Sequence, residues 1–304
     1  MVVRSTGSWY EVLAEDGSMY RGRLRGKFKK DGFKTTNPIA VGDFVLYREE
    51  DPDENTVLIL DIEERENYVV RQSTHKKGNR HIIAANVDQV LVMATLGKPR
   101  TSPGFIDRCL VSAESFHIPA IILFNKLDIL TEKGLAFQQE FSEMYRQIGY
   151  QSLGVSAQEG THLAELEVLL EGKKTLIIGH SGVGKSTLIN RLIPGVQQRT
   201  SGISHFANKG VHTTTFAEMF NLNQNSLLID TPGIKELGII GLEENEVWLY
   251  MPEIRQVAEY CKFYNCTHRH EPGCAVIAAV EEGIVPETRY HSYLSILQNE
   301  DNRR

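Results

Sequence analysis

Residues 175–192 run from an apolar stretch, Thr175-Leu176-Ile177-Ile178, through Gly179-His180-Ser181-Gly182-Val183-Gly184-Lys185-Ser186 into Thr187-Leu188-Ile189-Asn190-Arg191-Leu192. This is G-x-x-x-x-G-K-[ST] in a strand–loop–helix setting, and it dictates most of what surrounds it. Glycines let backbone N–H groups curl around phosphate oxygens, and the positive end of the following helix adds to the attraction. Lys185 reaches the β- and γ-phosphates in such a loop, the Ser186 hydroxyl ligates Mg²⁺, and Thr187 stands beside them in the first helical turn. The strand belongs in a largely parallel sheet with helices on both faces. Neighbouring segments supply that sheet: DQVLVMAT and PAIILFNK read as buried strands, FAEMFNL and SLLID as a hairpin, and residues 103–116 and 132–148 have helical spacing.

Phosphate loops do not choose a base; Asn125-Lys126-Leu127-Asp128, ending a buried strand, does. A carboxylate at Asp128 accepts from guanine N1–H and the 2-amino group together, and adenine has no such donor pair. Asn125 falls on the purine N7 side, with the Lys126 stem along the ring. Gly154-Val155-Ser156-Ala157 resembles the loop whose backbone N–H reads guanine O6, which adds Ser156 and Ala157 to the set. Asp230-Thr231-Pro232-Gly233 follows SLLI, so that Asp230 can hold Mg²⁺ through water and the Gly233 N–H can sense a γ-phosphate. One hydroxyl of Thr213, Thr214 and Thr215 is expected on the same Mg²⁺, and Thr214 stands for the three. The expected cofactors are GTP or GDP and Mg²⁺.

Two further regions carry chemistry. Residues 1–72 read as short strands with turn signals, a small β-barrel of about five strands. Within it Arg21, Arg23, Arg25, Lys27 and Lys29 occupy alternate positions, which a strand places on one face. Over residues 21–34 seven cations meet Asp31 alone, an electrostatic footprint for RNA phosphate, with a merely solvated strand face as the plain alternative. Residues 74–87 read as a loop with three more cations. Near the other end, Cys261-x4-Cys266-x-His268-x5-Cys274 offers three thiolates and an imidazole, a set suited to one tetrahedral structural Zn²⁺. His270 competes with His268, buried free thiols are the plain alternative, and Cys109 reads as packing. Helices are expected at 275–283 and 289–300, fastened together by the metal.

Composition sets outer limits. Of 304 residues 41% are hydrophobic and 24% charged, which excludes wholesale disorder. The net charge of −6 argues against general nucleic-acid stickiness. No apolar run approaches the ~20 residues of a membrane span, and MVVRSTGSWYEV lacks a signal-peptide core, so the cytoplasm is the expected address; a monomer is expected.

Motif order completes the reading. N-K-L-D (125–128) and V-S-A (155–157) precede the phosphate loop (179–186), the threonines and D-T-P-G (230–233), whereas Ras-like GTPases put the phosphate loop first. This is a circular permutation, which a compact domain tolerates when its original termini are close. In that order, ANVDQVLVM, FNKLD, GHSGVGKST, KGVHTTT, DTPGIKELG and CKFYNCTHRHEPGCAV resemble the ribosome small-subunit-dependent GTPase A family across essentially the whole chain. The resemblance implies an α/β fold: a circularly permuted Ras-like P-loop GTPase domain (73–241) with an N-terminal OB-fold barrel (1–72) and a C-terminal helical zinc-binding domain (242–304). It also implies slow GTP hydrolysis stimulated by the small (30S) ribosomal subunit, late maturation of that subunit as the role, and 16S rRNA as partner. Where Ras-type enzymes place a water-orienting glutamine after D-x-x-G, this chain has Ile234, which cannot hydrogen-bond water. His212 is the candidate substitute and the resemblance points to a histidine there; His205 and Lys209 follow. A nucleotide-gated RNA-binding protein without catalysis and a GTPase acting on a protein client are the alternatives. Because D-T-P-G feeds into the C-terminal region, a γ-phosphate-dependent change in the 230s is expected to tilt that region.

Overall fold

The computed structural model describes residues 1–6, 8–24, 38–72, 80–196, 217–231 and 242–298. At the N-terminus β1 (Val2–Ser5), β2 (Tyr10–Leu13) and β3 (Met19–Leu24) form an antiparallel meander, and β4 (Val45–Asp51) and β5 (Thr56–Ile62) a hairpin. β3 and β5 pair in parallel. The Val2 N–H donates to the Asp43 carbonyl and the Gly42 N–H to the Val2 carbonyl, each at 2.8 Å, joining β1 to the start of β4. Five strands so connected, around Val2, Tyr10, Val12, Val57 and Ile59, make an OB-fold barrel.

Alternation on β3 puts Met19, Arg21 and Arg23 outside and Gly22 inside. Arg25, Lys27 and Lys29 lie outside the described residues. β6 (Tyr68–Gln72) and β7 (Arg80–Ala85) form a hairpin, which corrects the loop expected over 74–87 for its second half; residues 73–79 are not described. Ile82 and Ala85 pack into one hydrophobic cluster and Ile83 and Ala84 into another, so β7 is apolar on both faces and shows no alternation. The hairpin holds the barrel in place: the Ala85 N–H donates to Val41 O at 2.9 Å and Asn86 Nδ2 to Gly42 O at 3.0 Å. Gly42 has φ +93°, and a Cβ there would lie 2.0 Å from Ala85 O, so only glycine fits.

The α/β part carries β8 (Gln89–Ala94), α1 (Pro103–Ser115), β9 (Ala120–Phe124), α2 (Glu132–Ile148), β10 (Gln151–Gly154), α3 (Leu163–Leu170), β11 (Lys174–Ile178), α4 (Lys185–Leu192), β12 (Glu218–Asn221) and β13 (Leu227–Asp230). Its strands lie in the order β10-β9-β8-β11-β13-β12, parallel except β12. Val90 and Val92 of β8 face one core, Leu91 and Met93 the other, as expected of a central parallel strand. Arg4 of β1 pairs with Glu218 of β12, so one eleven-stranded sheet runs from the barrel into the α/β layer. Among the described residues, the 125–128, 154–157 and 179–186 segments and Asp230 lie at the carboxyl ends of β9, β10, β11 and β13, where open α/β sheets bind ligands.

Helices α5 (Pro252–Ala258), α6 (Ala275–Glu281) and α7 (Glu287–Leu297) form the C-terminal unit around Met251, Ile254, Val276, Val285 and Tyr293. No helix among the described residues is long and apolar enough to cross a membrane.

Candidate functional site

The turn from β11 into α4 is held from two sides. Gly184, at φ +103°, caps α4, and a Cβ there would lie 2.3 Å from Asn125 Nδ2. Asn125, 3% exposed, donates from Nδ2 to Val183 O at 2.8 Å and accepts the Ala157 N–H on Oδ1 at 3.0 Å. One side chain thus clamps the phosphate loop to the 154–157 loop. Sequence reasoning gave Asn125 only the purine N7 side; its second Nδ2 hydrogen is left for that.

Asp128 stands exposed beside it, aimed by Ser156, whose hydroxyl donates to Asp128 Oδ1 at 2.5 Å. Ser156 is fully buried, and its Oγ accepts the Glu159 N–H at 3.1 Å, so its own orientation is fixed. Lys126 adopts the left-handed conformation (φ +67°) and donates from Nζ to Lys98 O at 3.0 Å, a partner with no motif to announce it.

Lys185 donates from Nζ to Gly179 O and, at 3.1 Å, to His180 O. Burial lowers its pKa, and Asp230 pulls the other way. Asp230 ends β13, 4% exposed, and pairs across the ladder with Glu218. Ser181 and Gly182 are exposed at the mouth, Gly179 and Val183 are buried, and His180, Ser186 and Thr187 are half-buried. The structure therefore gathers Asn125, Lys126, Asp128, Ser156, Ala157, the 179–187 segment and Asp230 at one end of the sheet. His205, Lys209, His212, Thr213, Thr214, Thr215, Gly233 and Ile234 lie outside the described residues.

The cysteine cluster closes into a cage. The ligand atoms of Cys261, Cys266, His268 and Cys274 all lie within 4.8 Å of one another. Cys261 Sγ is 3.9 Å from Cys274 Sγ, and His268 Nδ1 is 3.5 and 3.6 Å from those two sulfurs. Tetrahedral Zn²⁺ with bonds of about 2.3 Å to sulfur and 2.0 Å to nitrogen needs S···S near ~3.8 Å and S···N near ~3.5 Å, so the donor set fits. Burial lowers the pKa of His268, against Glu271, which favours the neutral imidazole a metal requires. The loop is pinned by Tyr290 OH donating to His268 O at 2.7 Å and Tyr293 OH to Thr267 O at 2.9 Å. His270 is exposed and outside the cluster, which decides between the two histidines. Cys109 is 1% exposed in α1, and burial pushes its thiol well up, as expected of packing.

The barrel's cationic face is less free than its spacing suggests. Arg23 makes a bidentate pair with Glu50, at 2.7 Å from Nε and 2.5 Å from Nη2, and Arg21 lies over the Trp9 ring at 4.9 Å.

Comparison with known proteins agrees with this arrangement. A family model described as RsgA GTPase matches residues 62–240, and one described as RsgA N-terminal domain matches residues 1–57. The small ribosomal subunit biogenesis GTPase RsgA of Cytophaga hutchinsonii is 47% identical over 304 residues, covering 100% of this chain and 99% of that one. RsgA 2 of Bacteroides thetaiotaomicron is 46% identical over 304 residues, covering 99% and 96%. Among solved structures, YjeQ from Thermotoga maritima superposes with a TM-score of 0.78 at 32% identity, covering 100% of this chain and 98% of that one. YloQ, described as a circularly permuted GTPase, gives 0.74 at 30% identity, covering 100% and 94%. Matched by the family model over residues 62–240 and by relatives along the full chain, this protein belongs to the RsgA GTPase family.

Proposed function

We propose that this chain hydrolyses GTP during biogenesis of the small ribosomal subunit, in the cytoplasm, with 16S rRNA contacted by the barrel. One observation carries the nucleotide assignment: Asn125 ties the phosphate loop to the 154–157 loop while Ser156 aims Asp128 outward, a base-reading edge built for paired donors. Lys185 leaves the carbonyls of Gly179 and His180 to take the β- and γ-phosphates, and the first amides of α4 neutralise the remaining charge. Ser186, Asp230 and one of the threonines, Thr214 in our assignment, would hold Mg²⁺, which supplies charge neutralisation on the phosphates. The Gly233 N–H meets the γ-phosphate. His212 orients the attacking water in place of the glutamine that Ile234 displaces, so turnover is slow in the free protein and is raised by the small subunit. Cys261, Cys266, His268 and Cys274 would hold Zn²⁺ with four protein ligands, and it would serve there as a structural cross-link.

The name given to the relatives supports the small subunit as partner, and the exposed cations of β3 support phosphate contact. Arg21, Arg25, Lys27 and Lys29 carry that contact in this reading, with Arg23 joining once released from Glu50. Co-sedimentation with 30S subunits in a non-hydrolysable GTP analogue tests it. Arg21→Glu with Arg25→Glu should abolish binding while leaving GDP affinity unchanged. Undiminished binding would remove the barrel from the interface.

A further inference from the structure

Helix α1 separates the nucleotide loop from the C-terminal helices and is buried against both. Phe105, Ile106, Cys109 and Leu110 pack into the core of the α/β part, and Val111 packs among the C-terminal helices. Its first turn is fixed by Pro103 and by Ser102, whose Oγ accepts the Phe105 N–H at 3.3 Å. From that turn the Phe105 ring lies on the His180 imidazole, centroids 3.7 Å apart and planes inclined by 34°. The carbonyl of the same His180 accepts Lys185 Nζ.

The other side of α1 carries an ion cluster. Arg289 of α7 is 0% exposed and donates from Nη1 to Asp107 Oδ1 at 2.7 Å. It also donates from Nε and Nη2 to the two carboxylate oxygens of Glu253 in α5, at 2.6 and 3.1 Å. Tyr145 OH adds a bond to Asp107 Oδ1 at 2.8 Å, and Arg108 Nη2 reaches Ser295 O and Oγ at 3.3 Å. Pulling Arg289 from Asp107 would leave uncompensated charge in a dry interior, which is strongly unfavourable. The cluster therefore makes α1, α5 and α7 move together. The tilt expected from the 230s alone would have to drag α1 with it.

We propose that Phe105 is a positioning residue for the phosphate loop, and that α1, locked to the C-terminal helices through Arg289, couples the zinc-bearing unit to Lys185. The proposal rests on residues 179–186 holding nucleotide. When Lys185 turns from the His180 carbonyl to phosphate, the His180 peptide loses that partner, its ring repacks on Phe105, and α1 carries the shift to α7. Coupling is reciprocal, so a load on the C-terminal unit biases Lys185 in return. Sequence spacing gives no hint of this, since Asp107 and Arg289 are 182 residues apart.

Hydrogen exchange of the full-length, zinc-loaded protein with and without GDP tests the coupling. Expected are protection of residues 179–186 and a GDP-dependent change in residues 287–297. Phe105→Ala should keep the first, lose the second, and release GDP about two- to ten-fold faster, the worth of one aromatic pair. Phe105→Tyr should restore both, which a simple loss of stability would not produce. Loop protection with α7 unchanged in the wild type overturns the coupling while sparing the nucleotide assignment. No loop protection overturns both. The wild-type arm decides even if Phe105→Ala fails to fold.

Discussion

Asp128→Asn tests the base assignment. The carboxylate is exposed at the mouth of the site, with Oδ1 accepting the Ser156 hydroxyl at 2.5 Å. A carboxylate has about four lone-pair sites, so three remain for the two donors of guanine, N1–H and N2–H. Asparagine turns one oxygen into an NH₂ group, which faces a guanine donor without pairing. A hydrogen bond to a charged group is worth about 1.5–3 kcal/mol, and opposing two donors adds to the loss. A net cost of about 3 kcal/mol corresponds to roughly 10²-fold weaker GTP binding. Xanthosine triphosphate carries a carbonyl where guanine has the 2-amino group, so the amide should pair with it and its affinity should rise. Displacement titration of a fluorescent nucleotide by GTP, ATP and xanthosine triphosphate measures all three. GTP affinity within about three-fold of wild type, or equal losses for the guanine and xanthine nucleotides, would refute the assignment of Asp128 to the base.

Three further outcomes are expected. Metal analysis of the purified protein should give one zinc per chain, and Cys274→Ser should lower that occupancy; a wild-type protein without zinc would leave the cluster as three free thiols beside a neutral histidine. Removing zinc with a chelator should loosen residues 261–298 and spare the barrel, read by hydrogen exchange, because the cage links α5 to α6. Burial pushes the Glu271 carboxyl up, but the Thr267 hydroxyl and the N–H groups of Thr267 and His270 outweigh that and hold it well below the usual range. A carboxyl depressed in the folded state contributes stability above its unfolded pKa of about 4.3 and loses it as pH falls. The stability difference between wild type and Glu271→Gln should therefore be present at pH 7 and shrink below pH 4; a difference independent of pH would contradict it.

The parts of the site built from contiguous residues were legible in the sequence. The 179–186 loop, Asn125-Lys126-Leu127-Asp128 and the Cys₃His spacing each place chemistry by local geometry alone, and motif order revealed the permutation. What depended on distant partners was not legible. Asn125 clamps two loops together, and Arg23 is bound to Glu50, because tertiary neighbours decide where a polar side chain ends up. Strand Arg80–Ala85 was missed because it is buried on both faces and lacks alternation. The stack of Phe105 on His180 and the burial of Arg289 had no sequence signal at all.

Steady-state GTP hydrolysis by the purified protein, alone and with added 30S or 50S subunits, tests the central claim most directly. The account predicts slow turnover alone, strong stimulation by 30S subunits and none by 50S. Bound GTP with no stimulation by 30S subunits would contradict it.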